Sequence, residues 1–103
     1  LVSPASAAKY HLAHNSLGVT LGRLDRHEEA MTVLENSIAL NRERGQQLLE
    51  AHALAALGDI CRARGRVELA VQCFEQSLAL RRVLGDTKGE TAMRERLSEA
   101  AQE

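Results

Sequence analysis

Residues 17–50, LGVTLGRLDRHEEAMTVLENSIALNRERGQQLLE, fall on residues 57–90, LGDICRARGRVELAVQCFEQSLALRRVLGDTKGE, when the sequence is slid against itself by forty positions. Leu17-Gly18 meets Leu57-Gly58, Arg26 meets Arg66, Glu28 meets Glu68 and Ala30 meets Ala70. Further along, Ser37 meets Ser77, Ala39-Leu40 meets Ala79-Leu80, Gly45 meets Gly85 and Glu50 meets Glu90. Leu34 over Phe74 and Ile38 over Leu78 keep apolar bulk at equal places. Two unrelated helical stretches would not align their glycines as well as their apolar positions, so this is an internal repeat.

Each unit reads as two helices. The first is expected from about Pro4 to Arg23, with Ser3 as N-cap and Pro4 where a missing N–H costs nothing. Asp25 is expected to cap a second helix, helped by Glu28 three residues on, which runs to about Arg44 and stops at Gly45. The second unit repeats this from Gln46 to Arg64 and from Arg66 to Leu84, with Gly85 as its end. A fifth helix follows from Thr87, whose Thr-x-x-Glu pattern with Glu90 reads as a capping box. The units thus cover about residues 4–45 and 46–85 of a single domain, 1–103, with a capping helix over about 87–101. Gly18 and Gly58 stand inside helices, where glycine costs about 1 kcal/mol relative to Ala. Close approach of the paired helix, presenting Ala30 and Ser37 or Ala70 and Ser77, is the expected compensation.

This pattern resembles the tetratricopeptide repeat family. The residues that carry the likeness are Leu17-Gly18, Ala30, Leu34 and Ser37, and again Leu57-Gly58, Ala70, Phe74 and Ser77. The forty-residue unit is similar to the longer repeats of that family, as is the run Arg82 to Glu90, Arg-x-x-Gly-Asp-x-x-x-Gly-Glu. Two departures stand out: His14 occupies the large apolar position that Leu54 fills, and Arg42 and Arg82 replace the usual closing proline. The resemblance implies an all-α solenoid of tandem antiparallel helix-turn-helix units with a C-terminal capping helix. It also implies a concave groove, lined by the first helices, that holds a peptide. Helical geometry then places Leu12, Asn15, Val19 and Arg23 on the groove side, followed by His52, Ala55, Asp59 and Arg62, with Glu95 and Glu99 on the last helix. The Lys and Asn set by which one subgroup grips a C-terminal carboxylate is missing, since Asn15 and Val19 stand at those places.

Composition agrees with such a fold. Of 103 residues 45% are hydrophobic and 26% charged, which argues against disorder. Tyr10 and Phe74 are the whole aromatic complement, so the core must be aliphatic. A net charge of −1 gives no pull toward nucleic acid or an anionic membrane, and no apolar run approaches the roughly 20 residues of a membrane span. The opening Leu1-Val2-Ser3-Pro4 has no leader character and no initiator Met, so a piece of a longer cytoplasmic protein is expected. Cys61 and Cys73 fall at apolar helical positions and read as buried, reduced thiols.

Sharper chemistry fails on spacing. His11, His14 and His52 have no carboxylate or Cys partner at metal-ligand intervals, so no metal or other cofactor is expected. Cys61 sits at a core position, where a thiol loses reactivity rather than gaining it. The seven glycines carry no phosphate-loop spacing. Arg23, Arg26, Arg62, Arg64 and Arg66 gather at the helix-to-helix turns, where cations suit helix C-termini; a solvated rim is expected, with an acidic or phosphorylated partner as runner-up. Nucleic-acid reading is not expected, because aromatics for stacking are lacking and the groove residues differ between copies.

The expected function is therefore non-enzymatic: a protein-binding module of an adaptor or regulator, holding a peptide or partner protein along Asn15, Val19, Arg23, His52, Asp59 and Arg62. The alternative is an architectural spacer that binds nothing in its groove and self-associates through exposed repeat ends.

Overall fold

A computed structural model describes residues 17–20 and 26–103. Residues 17–20 are helical, and four helices follow: α1 (His27–Glu43), α2 (Gln47–Ala63), α3 (Val67–Leu84) and α4 (Thr87–Ala100). No strand occurs among the described residues. Each helix packs on its sequence neighbour, α1 on α2, α2 on α3 and α3 on α4. The Ser3 and Pro4 start of the first helix lies outside the described residues.

The helices are joined by the shortest connections their ends permit. Gly45, Gly65 and Gly85 take φ of 69°, 77° and 70°, the left-handed conformation that other residues enter at about 1–2 kcal/mol. At each turn the glycine N–H donates to the carbonyl three residues back, as from Gly65 to Arg62 at 2.9 Å. The next N–H reaches the carbonyl five residues back: Gln46 to Asn41 at 2.8 Å, Arg66 to Cys61 at 2.8 Å and Asp86 to Arg81 at 2.9 Å. Gln46, Arg66 and Asp86 are also the N-caps of the following helices. One residue closes a helix and opens the next.

That double duty corrects two expected caps. The cap of α1 is Arg26, with no side-chain cap bond, and not Asp25, which lies outside the described residues and aligns by register with the turn residue Gly65. The cap of α4 is Asp86, whose Oδ1 accepts from the Gly89 N–H at 3.0 Å, and Thr87 is simply the first helical residue. Glu90 turns instead to Arg94, at 3.4 Å. Similarly, α3 begins at Val67 rather than Arg66, because Arg66 supplies the cap.

The core is one aliphatic cluster with a single ring in it. Ala30, Leu34, Ile38, Leu54, Leu57, Ala70, Phe74, Leu78 and Met93 belong to it, and Phe74 is its largest fully buried side chain. Gly58 is what admits that ring. A Cβ there would lie 2.5 Å from Cε1 and 2.8 Å from Cδ1 of Phe74. Gly18 does the same for Leu34, whose Cγ would be 2.6 Å from an added Cβ. The expected meeting of small residues on both sides is thus corrected: the glycine is a socket for the large residue of the next helix.

Ser77 has a bonding role rather than a merely small one. It is fully buried, and its Oγ donates to the Ala51 carbonyl at 2.9 Å, tying α3 to the backbone of α2. On the open side of the stack, α4 buries Met93 and Ala100 and leaves Arg94, Glu95, Ser98 and Glu99 exposed. One face of this helix is a core face and the other is polar.

Gly58→Leu is expected to destabilise the fold by about 1–3 kcal/mol or more, since the new side chain would collide with the fully buried ring of Phe74. Thermal melts followed by circular dichroism check this. An unchanged melting temperature would show that the Phe74 socket is not where the structure has it.

Candidate functional site

The face of α2 opposite its core carries charge at a three-residue interval, and α4 answers it. Ala53, Leu54, Leu57, Gly58 and Cys61 are buried, while His52 and Asp59 are exposed and Arg62 is half-buried. Asp59 and Arg62 lie on one helix face because residues three apart are neighbours there. Across the gap, Arg96 grips Asp59 with both arms of its guanidinium, Nε to Oδ1 at 2.8 Å and Nη2 to Oδ2 at 3.2 Å. Arg62 in turn donates through Nη1 to Glu99 at 2.9 Å and through Nε to Glu103 at 2.5 Å. The polarity alternates: acid on α2 to base on α4, then base on α2 to acid on α4. These carboxylates push the guanidinium pKa values of Arg62 and Arg96 upward, chiefly because they accept the hydrogen bonds that Arg62 donates to Glu103 and Arg96 donates to Asp59.

The sequence-derived site residues fare unequally. Asp59 and Arg62 stand together on this surface with Glu99, as parts of the two rungs. Val19 is half-buried and His52 exposed. Ala55, expected on the groove side, is instead buried within the core. Leu12, Asn15 and Arg23 lie outside the described residues. Arg96, which donates to Asp59, is not among the residues expected on the groove side. The signal was there: Arg96 and Glu99 repeat on α4 the three-residue charge interval of Asp59 and Arg62, with the signs reversed.

Behind His52 lies a second polar assembly that ties three helices together. From Ser77 Oγ, already bonded to the Ala51 carbonyl, the chain continues to Arg81, whose Nε donates to Ser77 Oγ at 3.1 Å. The other arm of Arg81, Nη1, reaches Asp86 Oδ2 at 2.8 Å, and Asp86 Oδ1 caps α4 through Gly89. Gly89 is buried under this pair, and a Cβ there would collide with both the Asp86 carboxylate and the Arg81 guanidinium. The Gly89 N–H, and then Arg81, hold the Asp86 carboxyl below its ordinary pKa. Burial of part of its ring, and then Arg81 nearby, lowers the pKa of His52, with Asp86 acting the other way.

Among the described residues the arginines of the rim stand beside carboxylates. Arg26 bonds both oxygens of Glu29, at 2.7 and 2.6 Å, and Arg64 reaches Glu28 at 2.7 Å, with Arg66 4.0 Å from the same carboxylate. Among the described residues no group of three or more His, Cys, Asp or Glu side chains is placed to hold a metal ion, and no helix is long and apolar enough to cross a membrane.

Antiparallel helix pairs in a forty-residue register, each with a glycine socket, account for most of the chain. A family profile, Tetratricopeptide repeat, matches residues 9–83. The chain belongs to the tetratricopeptide repeat family. The match ends before α4, so the partners of Asp59 and Arg62, which are Arg96, Glu99 and Glu103, all lie outside it. A comparison with curated proteins finds no match. Tetratricopeptide repeats are generally protein–protein interaction modules, and the polar surface shared by α2 and α4 is where this chain offers charge in an ordered pattern.

Asp86→Asn should lower the melting temperature at neutral pH, where the wild-type carboxylate is ionised and bonded. A carboxyl held below its ordinary pKa of 3.8 lends its stability above that value and loses it as pH falls through the lowered one. The difference between variant and wild type should therefore shrink in acid, as melts from pH 7 to pH 2 would reveal. A constant difference would place the effect outside this ionisation.

Proposed function

We propose that the chain is a single, non-enzymatic docking domain, part of an adaptor or regulator, that holds a peptide segment of a partner protein along the surface formed by α2 and α4. Val19 and the exposed His52 extend that surface, and Asn15 and Arg23 continue it on the first helix by register. The observation that supports this reading is the double rung Asp59–Arg96 and Arg62–Glu99, which puts two acids and two bases, alternating in sign, on a surface outside the core.

Such rungs suit exchange. Asp59 and Glu99 are exposed and Arg62 and Arg96 half-exposed, so water and salt reach the pairs and screen them, and such pairs contribute little to stability. A partner carrying its own acid and base at matching intervals replaces one set of ion pairs by another at small net cost. Charge then selects register and partner, while area and apolar contact supply the affinity. Half-buried Ala56 of α2 and Ala92 of α4 pack against the core and add only methyl groups to the two helices that bear the rungs.

A spacer without a groove ligand remains the competing class, with self-association through the repeat ends as its mark. The exposed Leu69, Val83 and Leu84 at the two ends of α3 favour that reading, because apolar side chains left in water promote contact between copies.

Panning a displayed random-peptide library against the intact chain separates the two. Recurrent peptides should emerge, and calorimetry should show their affinity weakened at least tenfold by the balanced variant Asp59→Ala/Arg96→Ala, with helix content unchanged. Gln72→Ala and Glu75→Ala, exposed on α3, should leave it unaltered. Loss of binding from the α3 variants alone would move the site to the opposite face. An unenriched library with a concentration-dependent dimer would favour the spacer.

A further inference from the structure

The two cysteines face each other across one helix pair. Cys61 is on α2 and Cys73 on α3, and both belong to the buried cluster. The pairing of these antiparallel helices brings them together: Ala51 is bonded by Ser77, Gly58 receives the ring of Phe74, and the next turn of α2 meets the turn of α3 that carries Ala70 and Cys73. Ala70 is fully buried and adds only a methyl group between the two backbones, so the helices approach closely at this level. The thiols lie within each other's hydrogen-bonding and electrostatic reach. They are not equally enclosed, for Cys61 keeps 2% of its surface in solvent and Cys73 keeps 9%.

We propose that Cys61 and Cys73 form a reversible intramolecular disulfide that locks α2 to α3 under oxidising conditions. The oxidant is a low-molecular-weight disulfide, R–S–S–R, entering at Cys73. The Cys73 thiolate attacks one sulfur of R–S–S–R; the S–S bond breaks, RS⁻ leaves, and Cys73 carries a mixed disulfide. The Cys61 thiolate then attacks the Cys73 sulfur, closing Cys61–S–S–Cys73 and releasing the second RS⁻. The two thiol protons end on the two released thiolates, so two protein thiols are oxidised and one disulfide is reduced to two R–SH.

The surroundings set when this happens. Burial raises the Cys61 pKa and pushes that of Cys73 to about 11, with the Glu35 carboxylate of α1 raising both and the Arg66 guanidinium acting the other way on Cys61. Thiolate is scarce in the closed fold, so reaction waits on opening of the helix pair at the Arg62 to Arg66 turn. Once formed, the bond closes a short loop that contains this turn. It holds the turn that carries Arg64 and Arg66 in place beside Arg62 of the α2–α4 surface and removes the opening through which it arose. The device therefore records an oxidising episode in the stiffness of the second unit.

The test uses the intact chain in glutathione buffers of rising oxidised-to-reduced ratio, without any partner. Intact mass after acid quench and alkylation, peptide mapping and thermal melts are the readouts. The expected product is a monomer that has lost the mass of two hydrogens, links the peptides containing Cys61 and Cys73, melts higher by roughly ten degrees and reverts with dithiothreitol. Cys61→Ser is expected to stop at a mixed disulfide on Cys73. Stable glutathione adducts on the wild type, disulfide-linked dimers, a lowered melting temperature, or unreacted thiols after incubation near the melting temperature would each overturn the proposal. So would a Cys61→Ser variant that takes up no glutathione.

Discussion

Everything in this fold depends on how near two helices come at Gly58. The missing side chain opens a socket, and the Phe74 ring enters it so fully that even one added carbon would fall inside the ring's contact distance. Closeness at that point carries the rest with it. It brings Ser77 within hydrogen-bonding range of a main-chain carbonyl on the facing helix, satisfying a buried hydroxyl that would otherwise be costly. It also sets the separation at which an aliphatic core with one aromatic ring can be filled. Gly18 and Leu34 repeat the same arrangement one unit earlier with a smaller plug. An intrinsic helix penalty is thus offset by packing that no residue with a side chain would permit.

Much of this was legible from residue types alone. Leu-Gly in one helix and small–large–small in the next have few other physical meanings at a fixed period, and Gly45 and Gly85 announced the helix ends. The socket was misread as small against small because a sequence shows which residues share a seam but not which one fills it. The caps were misread for a different reason. Asp25 and Thr87 have the better side chains for capping, yet the turn geometry decides which residue opens a helix. The N–H that completes the closing bond of one helix belongs to the residue after the turn glycine, so Gln46, Arg66 and Asp86 are capping residues by position, and of these Asp86 alone supplies a side-chain cap bond.

The candidate site was legible only by halves. Helical geometry put Asp59 and Arg62 outside the core, which depends on angle alone. It could not show that Arg96, Glu99 and Glu103 would reach back to them, because contacts between helices depend on the tilt and offset of the stack. Ala55 illustrates the margin: it lies on the boundary between groove and core, and one neighbouring helix is enough to bury it. The arginines at the turns carried the same ambiguity, resolved by Glu28 and Glu29 standing within reach of them.

The two units are joined to their C-terminal neighbours by different polar links. After the second, a guanidinium runs from the serine of the core to the carboxylate that caps α4. After the first, the corresponding residues are Asn41, whose amide reaches Ser37 at 3.4 Å, and Gln46, whose side chain makes no cap bond. The Asn41 Oδ1 is buried with no hydrogen-bond partner. The junction between α1 and α2 is held instead by ion pairs, Arg42 Nε to Glu50 at 3.1 Å and Arg64 to Glu28 at 2.7 Å. Both of those arginines are exposed, whereas Arg81 is buried. Salt therefore loosens the link between α1 and α2 more readily than the one between α3 and α4.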